Sequence, residues 1–186
     1  VSPEGGGPAD ELRKRADAAL YSAKAAGGGY RFFAKSMEDG KVRRLSLEHE
    51  LRMALDRNEI ALLFQPRIDH RTGRTIGAEA LLRWNSPTVG RVHAAELTQI
   101  AEETGYITTL GRWALTQACK EAAYWISGEP EGLRLSVNLS PVQFQQDDVY
   151  SAVVDILKQT GFPPERLDLE ITETLLLRED SDASQI

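Results

Sequence analysis

The segment Leu133-Arg134-Leu135-Ser136-Val137-Asn138-Leu139-Ser140-Pro141 decides the fold. Leu133, Leu135, Val137 and Leu139 alternate with Arg134, Ser136 and Asn138, the period-two pattern of a strand with one apolar and one polar face. Ser140 then offers an oxygen for a helix N-cap, Pro141 suits the first helical position, and Gln143 follows three residues after the cap. A strand that feeds at once into a helix is half of a crossover unit. The spacing predicts a further helix over 147–160, closed by Gly161 and the pair Pro163 and Pro164. A second alternating strand over 167–172 sets Leu167, Leu169 and Ile171 against Asp168, Glu170 and Thr172. Upstream, 94–103 and 110–127 read as helices, the latter with Leu115, Ala118, Cys119, Ala122 and Ile126 on one side. Strand, helix, strand, helix, strand calls for parallel pairing with right-handed crossovers, so the fold class is α/β.

Further upstream, 60–68 and 75–84 are apolar, β-compatible runs joined by a segment containing Thr72 and Gly73, and they are expected to pair as a hairpin. A helix over 45–57 leads into them, with Leu47, Leu51, Ala54 and Leu55 on one face. At the start of the chain, Leu12, Ala16, Ala19, Leu20 and Ala23 recur at helical spacing over 10–26 until Gly27, Gly28 and Gly29 stop the helix, and Tyr30 to Phe33 form a short β-prone run. Asp39 and Gly40 carry turn chemistry, which places a boundary near residue 40 and divides the chain into 1–36, a linker 37–44 and a second domain 45–186.

Composition narrows the function classes. With 22 Lys and Arg against 28 Asp and Glu the formal charge is -6, the opposite of what a binder of duplex DNA or RNA needs to displace counterions. Any anionic ligand must be held locally. The lone Cys119 excludes an internal disulfide and reads as buried filler, three scattered histidines give no zinc spacing, and a reducing, cytoplasmic setting is expected. No run approaches the ~20 apolar residues of a membrane span. The start at Val1 and the polar end at Ile186 read as a piece of something longer.

The polar sides of the strands hold the chemistry. Gly77, Glu79, Leu81 and Arg83 share one side of their strand, and Gln65 sits near the end of the first, just before Pro66. Glu79, Asn138 and Glu170 thus bring one oxygen ligand each from three strands, a set without Cys or His that suits Mg²⁺ or Mn²⁺ acting on a phosphate ester. Arg83 offers a forked donor for phosphate or a guanine edge. Glu173, outside the alternation, either supports a ligand or belongs to the following loop. On periodicity alone, structural ion pairing across a wet sheet face accounts for the same residues. Trp84, Trp113 and Trp125 read as packing aromatics rather than stacking platforms.

The ordered motifs Phe64-Gln65-Pro66, Gly77-Ala78-Glu79-Ala80-Leu81-Leu82-Arg83-Trp84, Ala101-Glu102-Glu103-Thr104-Gly105, Leu110-Gly111-Arg112-Trp113, Val137-Asn138-Leu139-Ser140 and Leu169-Glu170-Ile171-Thr172-Glu173 together resemble the first half of an EAL domain. The resemblance implies a cyclic di-GMP phosphodiesterase of bacterial second-messenger signalling, built on a TIM-type (β/α) barrel whose first strand runs against the others. It implies hydrolysis of cyclic di-GMP to linear pGpG with Mg²⁺ or Mn²⁺. Glu79, Asn138 and Glu170 match the family's metal ligands, Glu79 as the catalytic member, and Gln65 and Arg83 match substrate contacts. A homodimer through the EAL domain is also implied. Residues 16–27 followed by Tyr30-Arg31-Phe32 resemble the closing helix and strand of a GGDEF domain, the diguanylate cyclase fold, without its signature motif or inhibitory site.

Leu97-Thr98-Gln99 departs from the family's Phe-Ile-Pro, and Phe64 replaces a common tyrosine. A whole barrel needs eight strands in about 250 residues, against four expected here. The family's Asp-Asp pair, its lysine and its later glutamates are expected beyond Ile186, so the 186 residues alone are expected to be an inactive part of a barrel. The alternative is an EAL module without turnover that serves as a cyclic di-GMP receptor or protein-interaction scaffold.

Overall fold

The computed structural model describes residues 9–25, 28–126, 132–146 and 148–171. The chain divides into two compact units, Val1–Glu50 and Leu51–Ile186.

In the first unit, helix α1 (Ala9–Ala25) carries Asp10 and Glu11 in its first turn and Lys24 in its last, the charge order that complements the helix dipole. The Arg15 guanidinium lies 5.5 Å from the centroid of the Phe33 ring. Two expectations are corrected in this part of the chain. Tyr30 to Phe33 form no strand, because β-prone residues become a strand only against a neighbouring one, and none pairs with them among the described residues. The turn expected at Asp39 and Gly40 lies inside helix α2 (Lys35–Ala54). Gly40 costs such a helix about 1 kcal/mol relative to Ala, and 20 residues absorb that.

The second unit is a five-stranded sheet in the order β1-β2-β4-β5, with β3 attached to β2. β1 (Ile60–Ile68) and β2 (Thr75–Ser86) form the expected antiparallel hairpin, with Gln65 opposite Glu79 and Arg67 opposite Gly77. Their turn is held by Asp69, whose Oδ1 accepts the amides of Arg71 (2.8 Å) and Thr72 (3.3 Å), while Gly73 supplies a φ of 69°. The three residues of β3 (Gly90–Val92) pair back on Trp84 to Ser86. Helices α3 (Ala94–Glu103) and α4 (Ile107–Ile126) then carry the chain to β4 (Arg134–Leu139), which lies parallel to β2. Helices α5 (Pro141–Gln146) and α6 (Val149–Thr160) and a 3-10 turn at Pro164–Arg166 return it to β5 (Leu167–Ile171), parallel to β4. The α/β class with parallel crossovers stands as expected.

Helix ends follow local chemistry. The Ser140 hydroxyl accepts the Val142 amide at 3.1 Å and caps α5. Asp148 caps α6 by accepting the Ser151 amide at 3.1 Å and hydroxyl at 2.6 Å, and Gly161 ends that helix with a φ of 69°.

The core lies on one side of the sheet. Leu135, Val137 and Ala80 face Leu115, Ala118, Cys119 and Ala122 of α4 and Ile156 of α6, with Leu62, Phe64, Leu167 and Leu169 packed at the margin. Trp125 meets Phe64 edge to face at 6.0 Å, and the fully buried Trp84 donates its indole N–H to Glu59 at 3.2 Å, so both serve packing. Burial pushes the Cys119 thiol up to about 12, which leaves it protonated and unreactive in the core. No described helix is long and apolar enough to cross a membrane.

Candidate functional site

Because register partners share a face, the pairing fixes what the other side of the sheet presents. Gln65, Arg67, Glu79, Leu81 and Arg83 from the hairpin stand beside Arg134, Ser136 and Asn138 of β4 and Asp168 and Glu170 of β5. Ala61, Leu63 and Gly77 complete this side, so its polar residues gather at Gln65, Arg67, Glu79 and the strands β4 and β5, while α4 and α6 pack on the opposite side.

Glu79, Asn138 and Glu170 are brought onto three neighbouring strands. The Asn138 Nδ2 donates to Glu79 Oε1 at 2.6 Å, a charge-assisted bond from β4 to β2. Asn138 is also the register partner of Glu170, one strand spacing away, about 4.8 Å. Gln65 stands directly opposite Glu79. Arg83 is on the same face but four residues further along β2, roughly 13 Å from Glu79 along the strand, and its Nη1 donates to the Leu82 carbonyl at 2.7 Å. It is not gathered to the other three. Glu173 lies outside the described residues.

Glu79 and Glu170 are half-buried and Asn138 is exposed, so each can be reached from solvent. The strand exit after Asn138 is braced, since the Ser140 hydroxyl donates to Glu102 Oε1 of α3 at 2.6 Å while accepting the Val142 amide. Among the described residues, no three His, Cys, Asp or Glu side chains are grouped as a metal site. The candidate set counts two carboxylates and an amide, a donor set made of oxygen alone.

Structural ion pairing, the competing reading from periodicity, also occurs on this face, one rung below. Arg134 clamps Asp168 with two parallel bonds, Nε to Oδ2 at 2.8 Å and Nη2 to Oδ1, and its Nη1 donates to the Glu165 carbonyl at 2.7 Å. The hydrogen bonds from Arg134 hold the Asp168 carboxyl below its usual range against the opposing effect of burial. Sequence reasoning missed Arg67. Its guanidinium donates to Ser136 Oγ and to Glu170 Oε1 at 3.4 Å and lies 3.6 Å from Asp168 Oδ2. The signal that could have found it is its place two residues after Gln65 on the same side of β1. A concavity of about 580 Å³ lies elsewhere, where Asp69, Arg74, Thr75 and Leu133 surround the starts of β2 and β4.

Residues 48–186 match the EAL domain family. The chain is 38% identical over 185 residues to the bifunctional diguanylate cyclase/cyclic di-GMP phosphodiesterase MucR of Pseudomonas aeruginosa, covering 99% of this chain and 27% of that protein. It is 32% identical over 187 residues to the cyclic di-GMP phosphodiesterase PdeR of Escherichia coli, covering 100% of this chain and 28% of that protein. The chain spans about a quarter of the length of the curated relatives it matches. Among solved structures, the PaMucR phosphodiesterase in complex with c-di-GMP superposes with a TM-score of 0.68 at 37% identity, over 75% of this chain and 56% of that one. The FimX EAL domain of Pseudomonas aeruginosa bound to c-di-GMP gives a TM-score of 0.60 at 30% identity, over 74% and 54%.

Proposed function

The chain belongs to the EAL domain family, and on that footing we propose that its polar sheet face is the metal and substrate side of a cyclic di-GMP phosphodiesterase. The observation that carries this reading is the Asn138 to Glu79 hydrogen bond of 2.6 Å beside Glu170, three oxygen-bearing side chains from three strands at one place on the face. Support comes from MucR and PdeR, both phosphodiesterases by name, and from a likeness to EAL domains solved with c-di-GMP.

The donor set fits a hard divalent cation. Both carboxylates and the Asn138 amide oxygen would hold Mg²⁺ or Mn²⁺, and Cys or imidazole, which would favour zinc, is missing from the set. When bound, such an ion lowers the pKa of a water and neutralises phosphate charge. The chain's own residues do the positioning. Asn138 fixes one oxygen of Glu79 and leaves the second as a ligand. Gln65, opposite Glu79, supplies amide hydrogen bonds to the nucleotide, and Arg83 leaves the Leu82 carbonyl to pair with phosphate or a guanine edge. Hydrolysis forms one P–O bond from water and breaks one ester bond; the departing ribose oxygen takes a proton, giving linear pGpG.

The same proposal takes the sheet as the first part of a TIM-type barrel, with its polar face toward the lumen, in a cytoplasmic protein that dimerises through this domain. It takes residues 1–36 as the tail of a GGDEF domain, and the match to the bifunctional MucR over 99% of the chain supports that reading. The test is chromatography of cyclic di-GMP incubated with Mg²⁺ or Mn²⁺ and a protein that carries this segment within a complete EAL domain, because the 186 residues alone are expected to be inactive. Linear dinucleotide that appears with the ion and stops with chelator is expected. Nucleotide bound without conversion would overturn the enzyme and favour the receptor.

A further inference from the structure

Arg67 occupies a position from which it crosses the sheet. Its register partner on β2 is Gly77, and Gly77 is in turn aligned with Arg134 on β4. A Cβ at Gly77 would collide with the Arg134 backbone carbonyl, so β4 approaches β2 closely at this rung and no side chain stands between Arg67 and the strands beyond. The guanidinium passes over that gap. It donates to the Ser136 hydroxyl on β4, a fully buried anchor, and reaches Glu170 Oε1 on β5 at 3.4 Å.

Three groups compete for this cation, and the geometry ranks them. Asp168 is already satisfied by the forked pair from Arg134, and Arg67 stays 3.6 Å from it. Arg67 is thus shared as an ion-pair partner by both carboxylates, but its one hydrogen bond to a carboxylate goes to Glu170. At 3.4 Å the contact is at the long end of hydrogen bonding, and it engages one of a carboxylate's roughly four lone-pair sites. Such a contact turns the carboxylate and leaves its remaining sites to a ligand.

We propose that Arg67 is a positioning residue for Glu170: anchored on Ser136 across Gly77, it sets the carboxylate's orientation for a divalent cation shared with Glu79 and Asn138. This rests on the cation-holding reading of those three residues. Partners that orient a ligating carboxylate typically change metal affinity 10- to 100-fold when lost.

The experiment is a Mn²⁺ titration of the full chain followed by electron paramagnetic resonance of the free ion, with Arg67→Met, Arg67→Lys and Glu170→Gln beside the unchanged protein. Arg67→Met is expected to weaken Mn²⁺ about tenfold. Arg67→Lys should fall between, since it keeps the charge and donates from a single nitrogen without the planar fork. Melting curves without metal run in parallel. A merely structural Arg67 would lower the melting temperature and leave the ion affinity of the folded chain unchanged. If Arg67→Met binds Mn²⁺ as tightly as the unchanged protein, or more tightly, while Glu170→Gln binds it weakly, the positioning role is wrong and the ion site stands. If Glu170→Gln loses nothing, or the unchanged protein takes up no Mn²⁺, the ion site itself is wrong and the inference falls with it. Should Arg67→Met fail to fold, Arg67→Lys decides, with unchanged affinity counting against the role.

Discussion

The two faces of the β2-β4-β5 sheet are written by the same residues in alternation, and they are put to opposite uses. On one, Leu135, Val137 and Leu169 meet α4 and α6 and make the core. On the other, Ser136, Asn138, Asp168 and Glu170 point away from α4 and α6 and are tied to Arg67, Glu79 and Arg134. The apolar face gains from removing surface from water and tolerates no loss of volume. The polar face makes its contacts through charged and amide groups that stay partly accessible, and such contacts contribute little to stability. Folding and chemistry are therefore separable by single substitutions one residue apart.

Breaking the apolar side should have the largest effect on stability. Leu135 is fully buried, and Leu135→Ala is expected to cost about 2–5 kcal/mol in urea unfolding through lost burial and the cavity left behind. A cost under about 1 kcal/mol would mean that this face is not the core. Gly77→Ala tests the rung where the faces meet. Its Cβ would collide with the Arg134 carbonyl, and overpacking of this kind costs about 1–3 kcal/mol. Because the same rung is the path of Arg67, Mn²⁺ binding should weaken as well.

The smallest effect belongs to the exposed ion pair. The folded-state pKa of Asp168 is depressed by Arg134, so its contribution is present above the unfolded carboxylate value of about 3.9 and is lost as pH falls through the lower folded value. Asp168→Asn should leave stability near pH 7 almost unchanged and flatten part of the acid limb below about pH 4. An acid limb identical to that of the unchanged protein would show that the pair does not act in solution.

Much of this division was legible in the residues. The alternation over β4 and β5 placed Asn138 and Glu170 on the polar side and the leucines on the core side, and both hairpin strands were marked by apolar runs around a Gly-bearing turn. The Ser140 and Pro141 pair gave the helix start. Other features had no local signal. β3 is three residues long, too short for periodicity, and exists only because β2 offers an edge. Asp39 and Gly40 carry turn chemistry, yet the helix runs on through them. Arg67 was missed because its meaning depends on a glycine across the hairpin and a serine one strand further, a relation that register creates and sequence spacing does not.

On the proposed function, the polar face serves the chemistry and carries little of the fold. Glu79→Gln tests this most directly when cyclic di-GMP turnover and thermal unfolding are measured on the same sample of a protein that carries this segment within a complete EAL domain. Turnover is expected to fall at least about 100-fold, the scale on which a group that stabilises transition-state charge acts, with the unfolding temperature essentially unmoved. Turnover undiminished in a folded Glu79→Gln protein would contradict it.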